Sequence, residues 1–76
     1  MDNIIKTAHD LNRGETSTIS NVIGSKNMIV SLLKQGLTPG TLIEKKFSGT
    51  FGDPVAYSAR GALIALRNEE AQCLQI

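Results

Sequence analysis

The stretch that decides the fold runs from residue 36 to residue 71. It reads Gly36-Leu37-Thr38-Pro39-Gly40, then Gly52-Asp53-Pro54, then a lone Gly61, then Ala65-Leu66-Arg67 and Glu69-Glu70-Ala71. Pro39 fixes φ and Gly40 allows φ > 0, so Thr38-Pro39-Gly40 predicts a turn. Pro54 biases Asp53 toward extended backbone, and Gly61 permits a tight reversal. Apolar segments of strand character fill the gaps. Residues 41–48 read as a strand with Ile43 and Phe47 on one face. Val55, Tyr57 and Ala59 alternate with Ala56, Ser58 and Arg60 in the next. Residues 62–67 predict a further, mostly buried strand. Asn68 caps one turn over Glu69-Glu70-Ala71, whose acids suit a helix N-terminus. Residues 73–76 return as a short strand with Leu74 and Ile76 on one face.

Ahead of this stretch, residues 15–23 are rich in β-branched side chains and predict one strand ending at Gly24. Ser25 is a good N-cap and Gly36 a good residue just past a helix end, so a helix of about three turns lies between them. Its Met28/Leu32 and Ile29/Leu33 pairs span an arc of roughly 140°, with Val30 just beyond it. Residues 1–13 have a weaker helical pattern. Ile4, Ile5, Ala8 and Leu11 share a face, and Thr7 caps a turn leading to Leu11. The expected architecture is mainly β: a small curled barrel of about five strands, with one α-helix inserted between the first two. A flat sheet of this size would leave edges and core uncovered.

Composition narrows the function. Seventy-six residues suffice for one domain over positions 1–76, with roughly 60% of the unfolded surface buried. Net charge is +1, whereas nucleic-acid binding draws on a strong basic excess. A single Cys excludes an internal disulfide and favours a reducing compartment. The opening Met1-Asp2-Asn3 is acidic with no apolar run behind it, so no signal peptide is expected. The longest apolar run, residues 62–66, is far short of the ~20 residues of a membrane span. The sequence has no phosphate-binding loop, no His-Glu-x-x-His and no Cys-x-x-Cys. With one His and one Cys, catalytic residues are not expected and the protein reads as a non-enzyme.

The markers, taken in order, resemble the ferrous iron transport protein A family, FeoA. Leu11 and Gly14-Glu15 resemble the start of the family pattern. Leu32, Leu33, Gly36-Leu37 and Pro39-Gly40 resemble its helix end and turn. Gly52-Asp53-Pro54, Gly61, Ala65-Leu66-Arg67 and Glu70-Ala71 resemble its second half. The resemblance implies an SH3-like barrel and a cytoplasmic adaptor of ferrous iron uptake. The implied partner is the membrane transporter FeoB, which carries a cytoplasmic nucleotide-binding domain. No nucleic acid and no membrane insertion are implied. An alternative is direct handling of ferrous or other divalent metal, as a carrier or sensor, since similar domains end some iron- and manganese-responsive repressors. The family helix is often basic ahead of its Leu-Leu pair, whereas Met28-Ile29-Val30-Ser31 stands there in this chain. That favours an apolar contact.

Two sets of residues are therefore candidates. Met28, Ile29, Val30, Leu32 and Leu33 are the candidate partner surface, set against the simpler expectation that Leu32 and Leu33 are both core. His9, Asp10 and Cys73 are the candidate metal ligands, set against surface solvation for the first two and a small buried hydrophobe for the third. Asp53 reads as a turn-former, and Arg67, Glu69 and Glu70 as solvated charge. No cofactor is expected beyond such a metal.

Overall fold

The computed structural model describes residues 6–49 and 52–76. A 3-10 turn at Ala8–Asp10 leads to β1 (Thr16–Thr18), β2 (Asn21–Val22) and α1 (Lys26–Lys34). Then come β3 (Leu42–Ser48), β4 (Val55–Ala59), β5 (Ala62–Leu66), α2 (Asn68–Ala71) and β6 (Leu74–Gln75). One antiparallel sheet has the order β1-β3-β4-β5, and β2 pairs with β6 in a second. Of the residues read as the first helical face, Ile4 and Ile5 lie outside those described. So do Thr50 and Phe51 of the loop before Pro54.

The run 15–23, expected as one strand, is divided between the two sheets. The hand-over is at Ile19–Ser20. The Ile19 N–H donates to Thr41 O at 2.8 Å, and the next amide, Ser20 N–H, donates to Gln75 O at 2.7 Å. Ile19 itself is fully buried. A strand that changes partners in this way folds one sheet over the other and encloses the core between them.

Alternation fills that core. Val55, Tyr57 and Ala59 point inward from β4, Ile43 from β3 and Leu66 from β5. Leu32, Leu37, Ala71 and Leu74 close it from the helical side. The Tyr57 hydroxyl donates to the Ala8 carbonyl at 3.4 Å, and Lys45 Nζ donates to His9 O at 3.0 Å, which seats the 3-10 turn against the sheet.

Two strand readings need correction. Phe47 does not share a face with Ile43. The register between β3 and β4 slips between Lys45 and Phe47, a bulge of one residue. An extra residue reverses every side chain beyond it, so Phe47 emerges on the outer face. Strand β5 is not mostly buried either: of its residues only Leu66 is. It lies at the rim of its sheet, and its outward-facing residues have no second layer above them.

Helix α1 is held at both ends. Ser25 Oγ accepts from Met28 N–H at 3.2 Å. At the other end Gly36 has φ +84°, its N–H donates to Leu33 O, and the Leu37 N–H reaches back to Leu32 O. This pair of bonds needs a left-handed residue at position 36, which Gly supplies without Cβ strain. The short α2 starts one residue earlier than expected. Arg67, not Asn68, is its N-cap. The Glu70 carboxylate accepts from Arg67 N–H at 2.8 Å, and Asp53 Oδ1 accepts from Asn68 N–H at 2.9 Å. Asp53 thus pins the β3–β4 loop to α2 in addition to forming a turn.

Arg60 is the residue that sequence reading passed over. It occupies the β4–β5 turn with φ +52°, a left-handed conformation that costs a side-chain-bearing residue about 1 kcal/mol. Its guanidinium reaches the end of α1. Nε donates to Gly36 O at 3.0 Å, and Nη2 donates to Thr38 Oγ1 and Thr41 Oγ1, each at 3.1 Å. Arg60→Gly would relieve the backbone and delete these bonds. The deletion is expected to win by about 1 kcal/mol, read as a lower urea midpoint; an unchanged or higher midpoint would refute this role. Leu32→Gln places an amide without a partner in the core and is expected to cost about 3–5 kcal/mol. For a chain of this length that approaches the whole folding free energy, so circular dichroism should show a largely unfolded population.

Candidate functional site

The outer side of α1 follows from its sequence at about 100° per residue. Leu32 marks the inward direction and is fully buried. Met28 and Ile29 flank it on either side and are half-buried, Met28 packing against the core. Beyond Ile29 the helix surface turns outward through Leu33, 39% exposed, and Val30, 40% exposed. The apolar arc is therefore wider than the core beneath it. The excess lies on the Ile29–Leu33–Val30 side. Ile23, 39% exposed, precedes the helix and adds to the exposed apolar surface of this region.

The rest of the helix surface is polar. Lys26, Asn27, Val30, Ser31, Lys34 and Gln35 line a shallow depression on it. These residues form two rows four apart in sequence, with Val30 between the two lysines. The helix contains no acidic residue. Among the described residues one ion pair is formed, Lys46 with Glu44 at 3.3 Å, and it involves neither lysine of α1. The arrangement is an apolar strip bordered by uncompensated positive charge. It offers contact area and a sign preference, and no reactive group.

Of the five candidate partner residues, the fold brings Ile29, Val30 and Leu33 to one accessible edge. Leu32 has no accessible surface and is core, because the helix is seated on the sheet along that side chain. Leu33 departs from the simpler expectation that both leucines are buried, since it is one residue, or about 100°, further round.

The three candidate ligands do not form a site. Among the described residues no group of three or more His, Cys, Asp and Glu side chains could hold a metal ion. The Asp10 carboxylate already accepts from Thr7 N–H at 2.9 Å and from Thr7 Oγ1 at 3.2 Å. The backbone hydrogen bond is the largest influence holding its pKa below the ordinary 3.8. His9 Nδ1 is buried without a hydrogen-bond partner, but the Lys45 ammonium lies on the same turn and disfavours a second cation. Cys73 Sγ donates to Glu69 O at 3.4 Å, and a Cβ added at Gly24 would lie 3.0 Å from this sulfur. Burial, aided by Glu70 and Glu69, raises the thiol pKa. A metal needs the thiolate, so this environment works against ligation. Tyr57, pushed up to about 12 by burial and then by Asp10, stays protonated as a structural donor.

A FeoA domain model matches residues 6–76. The chain belongs to the FeoA family. A crystal structure of an iron uptake regulatory protein, FeoA, superposes with a TM-score of 0.82 at 25% identity, covering 95% of each chain. An FeoA-like protein from Clostridium acetobutylicum gives 0.84 at 20% identity, over 91% of this chain and 80% of the other. Stenotrophomonas maltophilia FeoA complexed with zinc, described as a prokaryotic SH3 domain protein, gives 0.78 at 19% identity, over 91% and 86%. No curated protein matches the sequence. The fold is SH3-like, and the family is associated with ferrous iron transport. No helix of the described residues is long and apolar enough to cross a membrane.

Two outcomes follow from the ligand geometry. Asp10 has a lowered folded-state pKa, so its contribution to stability is present above pH 3.8 and is lost as pH falls through the folded value. Asp10→Asn should therefore lower the urea midpoint at pH 7, and the difference between the two chains should shrink as pH falls through the folded-state value. A difference that persists in acid would show that the charge is not what matters. Cys73, with its raised pKa, should react with iodoacetamide at pH 8 more slowly than the same residue in the denatured chain.

Proposed function

We propose that this FeoA-family chain is a cytoplasmic accessory protein of ferrous iron uptake that binds the cytoplasmic portion of a FeoB-type transporter without doing chemistry itself. The observation that carries this reading is the exposed edge of α1. Ile29, Val30 and Leu33 leave apolar area uncovered on a helix anchored at both ends, and anchoring keeps the cost of ordering an interface low. Lys26 and Lys34 suit a contact surface whose border is acidic.

The direct test is a binding titration between the full chain and the transporter's cytoplasmic portion, with and without nucleotide and iron. Val30→Gln and Leu33→Gln are each expected to weaken binding about tenfold, a loss of about 1.4 kcal/mol. Their melting curves should stay close to that of the unaltered chain, because both side chains are already well exposed. Absence of binding under every condition, or binding indifferent to both changes, would overturn the proposal. The alternative of direct metal handling has its support in the zinc-bound relative. It requires specific shifts of His9, Asp10 or Cys73 resonances on anaerobic ferrous iron titration.

A further inference from the structure

Strand β5 is the terminal strand of the four-stranded sheet. Its sequence, Ala62-Leu63-Ile64-Ala65-Leu66, has no charge, no proline and no bulge. Edge strands commonly carry one of these devices to discourage pairing. The hydrogen-bonding groups of this edge can be assigned. Arg60-Gly61 is a two-residue turn closing on Ala59 and Ala62, which makes that pair the hydrogen-bonded kind. Alternation then assigns Tyr57 with Ile64 and Val55 with Leu66 as the next bonded pairs. The N–H and C=O groups of Leu63 and Ala65 are left pointing away from β4. No backbone bond from another element reaches them among the described residues. Leu63 is 59% exposed, and Ala62 and Ala65 are exposed beside it.

We propose that β5 is the contact edge of a twofold-symmetric dimer, in which a second copy of this chain pairs antiparallel about Ile64. The strand is complementary to itself in this register. Leu63 of one copy faces Ala65 of the other and Leu66 faces Ala62, which pairs large with small, while Ile64 meets its own copy on the dyad. The outward groups of Leu63 and Ala65 then satisfy one another, forming four hydrogen bonds across the dyad. Arg67 of one copy comes opposite Gly61 of the other, so no like charges meet. Centring the dyad on Leu63 or Ala65 instead sets the other of these two residues opposite a residue outside β5, Gly61 or Arg67, and so uses fewer of the free groups. On the outer face Leu63, 59% exposed, lies at the seam itself. The joined sheets would form one continuous eight-stranded surface. The contact is small, and small contacts of this kind are weak.

The test is sedimentation equilibrium of the full chain from about 10 μM to about 1 mM, where a weak dimer changes occupancy. The expected result is a dimer fraction rising with concentration. Ala65→Pro removes an outward N–H that the β4 ladder does not use, and Leu63→Lys puts a charge on the edge. Each is expected to raise the dimer dissociation constant at least about tenfold, with an unchanged far-ultraviolet spectrum. If the proline variant fails to fold, Leu63→Lys carries the test alone. A mixed-label sample should give nuclear Overhauser contacts between Leu63 of one copy and Ala65 of the other. A monomer at every concentration would overturn the proposal. So would a dimer insensitive to Leu63→Lys, or one dissolved by Val30→Gln, which would place the contact on α1.

Discussion

The structure depends on the hand-over at Ile19–Ser20. Two successive amides bond to different strands: Ile19 to the β3 side at Thr41, and Ser20 to the β6 side at Gln75. The Ile19 carbonyl also accepts from Gly40 N–H at 2.7 Å. One residue thus ties the first strand run to the turn after α1, while the next commits the chain to the second sheet. Without that change of partner, the four-stranded sheet would have an uncovered inner face, and Tyr57, Ile43 and Leu66 would have nothing to pack against. The cost of burying backbone at such a corner is met because these polar groups at the corner are paired.

Closure also places α1. The helix follows β2 after a short turn, so its seating is set by where β2 lies. Leu32 enters the core, while Leu33 and Val30, further round the helix, do not. The nine-residue helix has more apolar circumference than the core of so small a domain can cover. Arg60 then locks the helix end to the β4–β5 turn. Its guanidinium holds Gly36, Thr38 and Thr41 while its own backbone is left-handed. A local strain at the turn is offset by three hydrogen bonds at the far end of the same side chain.

Much of this is legible in the sequence. Ser25 and Gly36 bracket α1 because capping chemistry is local. Val55, Tyr57 and Ala59 face inward because alternation is a property of the strand itself. The Gly36–Ala71 markers fall in the order of the FeoA family, and a FeoA domain match over 6–76 agrees. What the sequence does not show lies mostly between elements. The bulge before Phe47 has no sequence signal as clear as a Gly or Pro. Arg60 is read as an ordinary strand residue unless the end of α1 is known to lie beneath it. Asp53 reads as a turn residue because its partner, the Asn68 amide, is 15 positions away.

The sequence by itself determined most of the elements, the caps of α1, the main turns, the absence of familiar catalytic motifs, and the family. These are set by short-range physics: φ restrictions, capping bonds and side-chain periodicity. Only the tertiary structure decided which apolar residues are core and which are surface. Leu32 and Leu33 are adjacent and chemically identical, yet one is buried and the other is not. Leu63 and Leu66 share a strand and divide in the same way. Burial is a property of what stands opposite a side chain, and that is settled by the hand-over at Ile19–Ser20 and the order of strands it imposes.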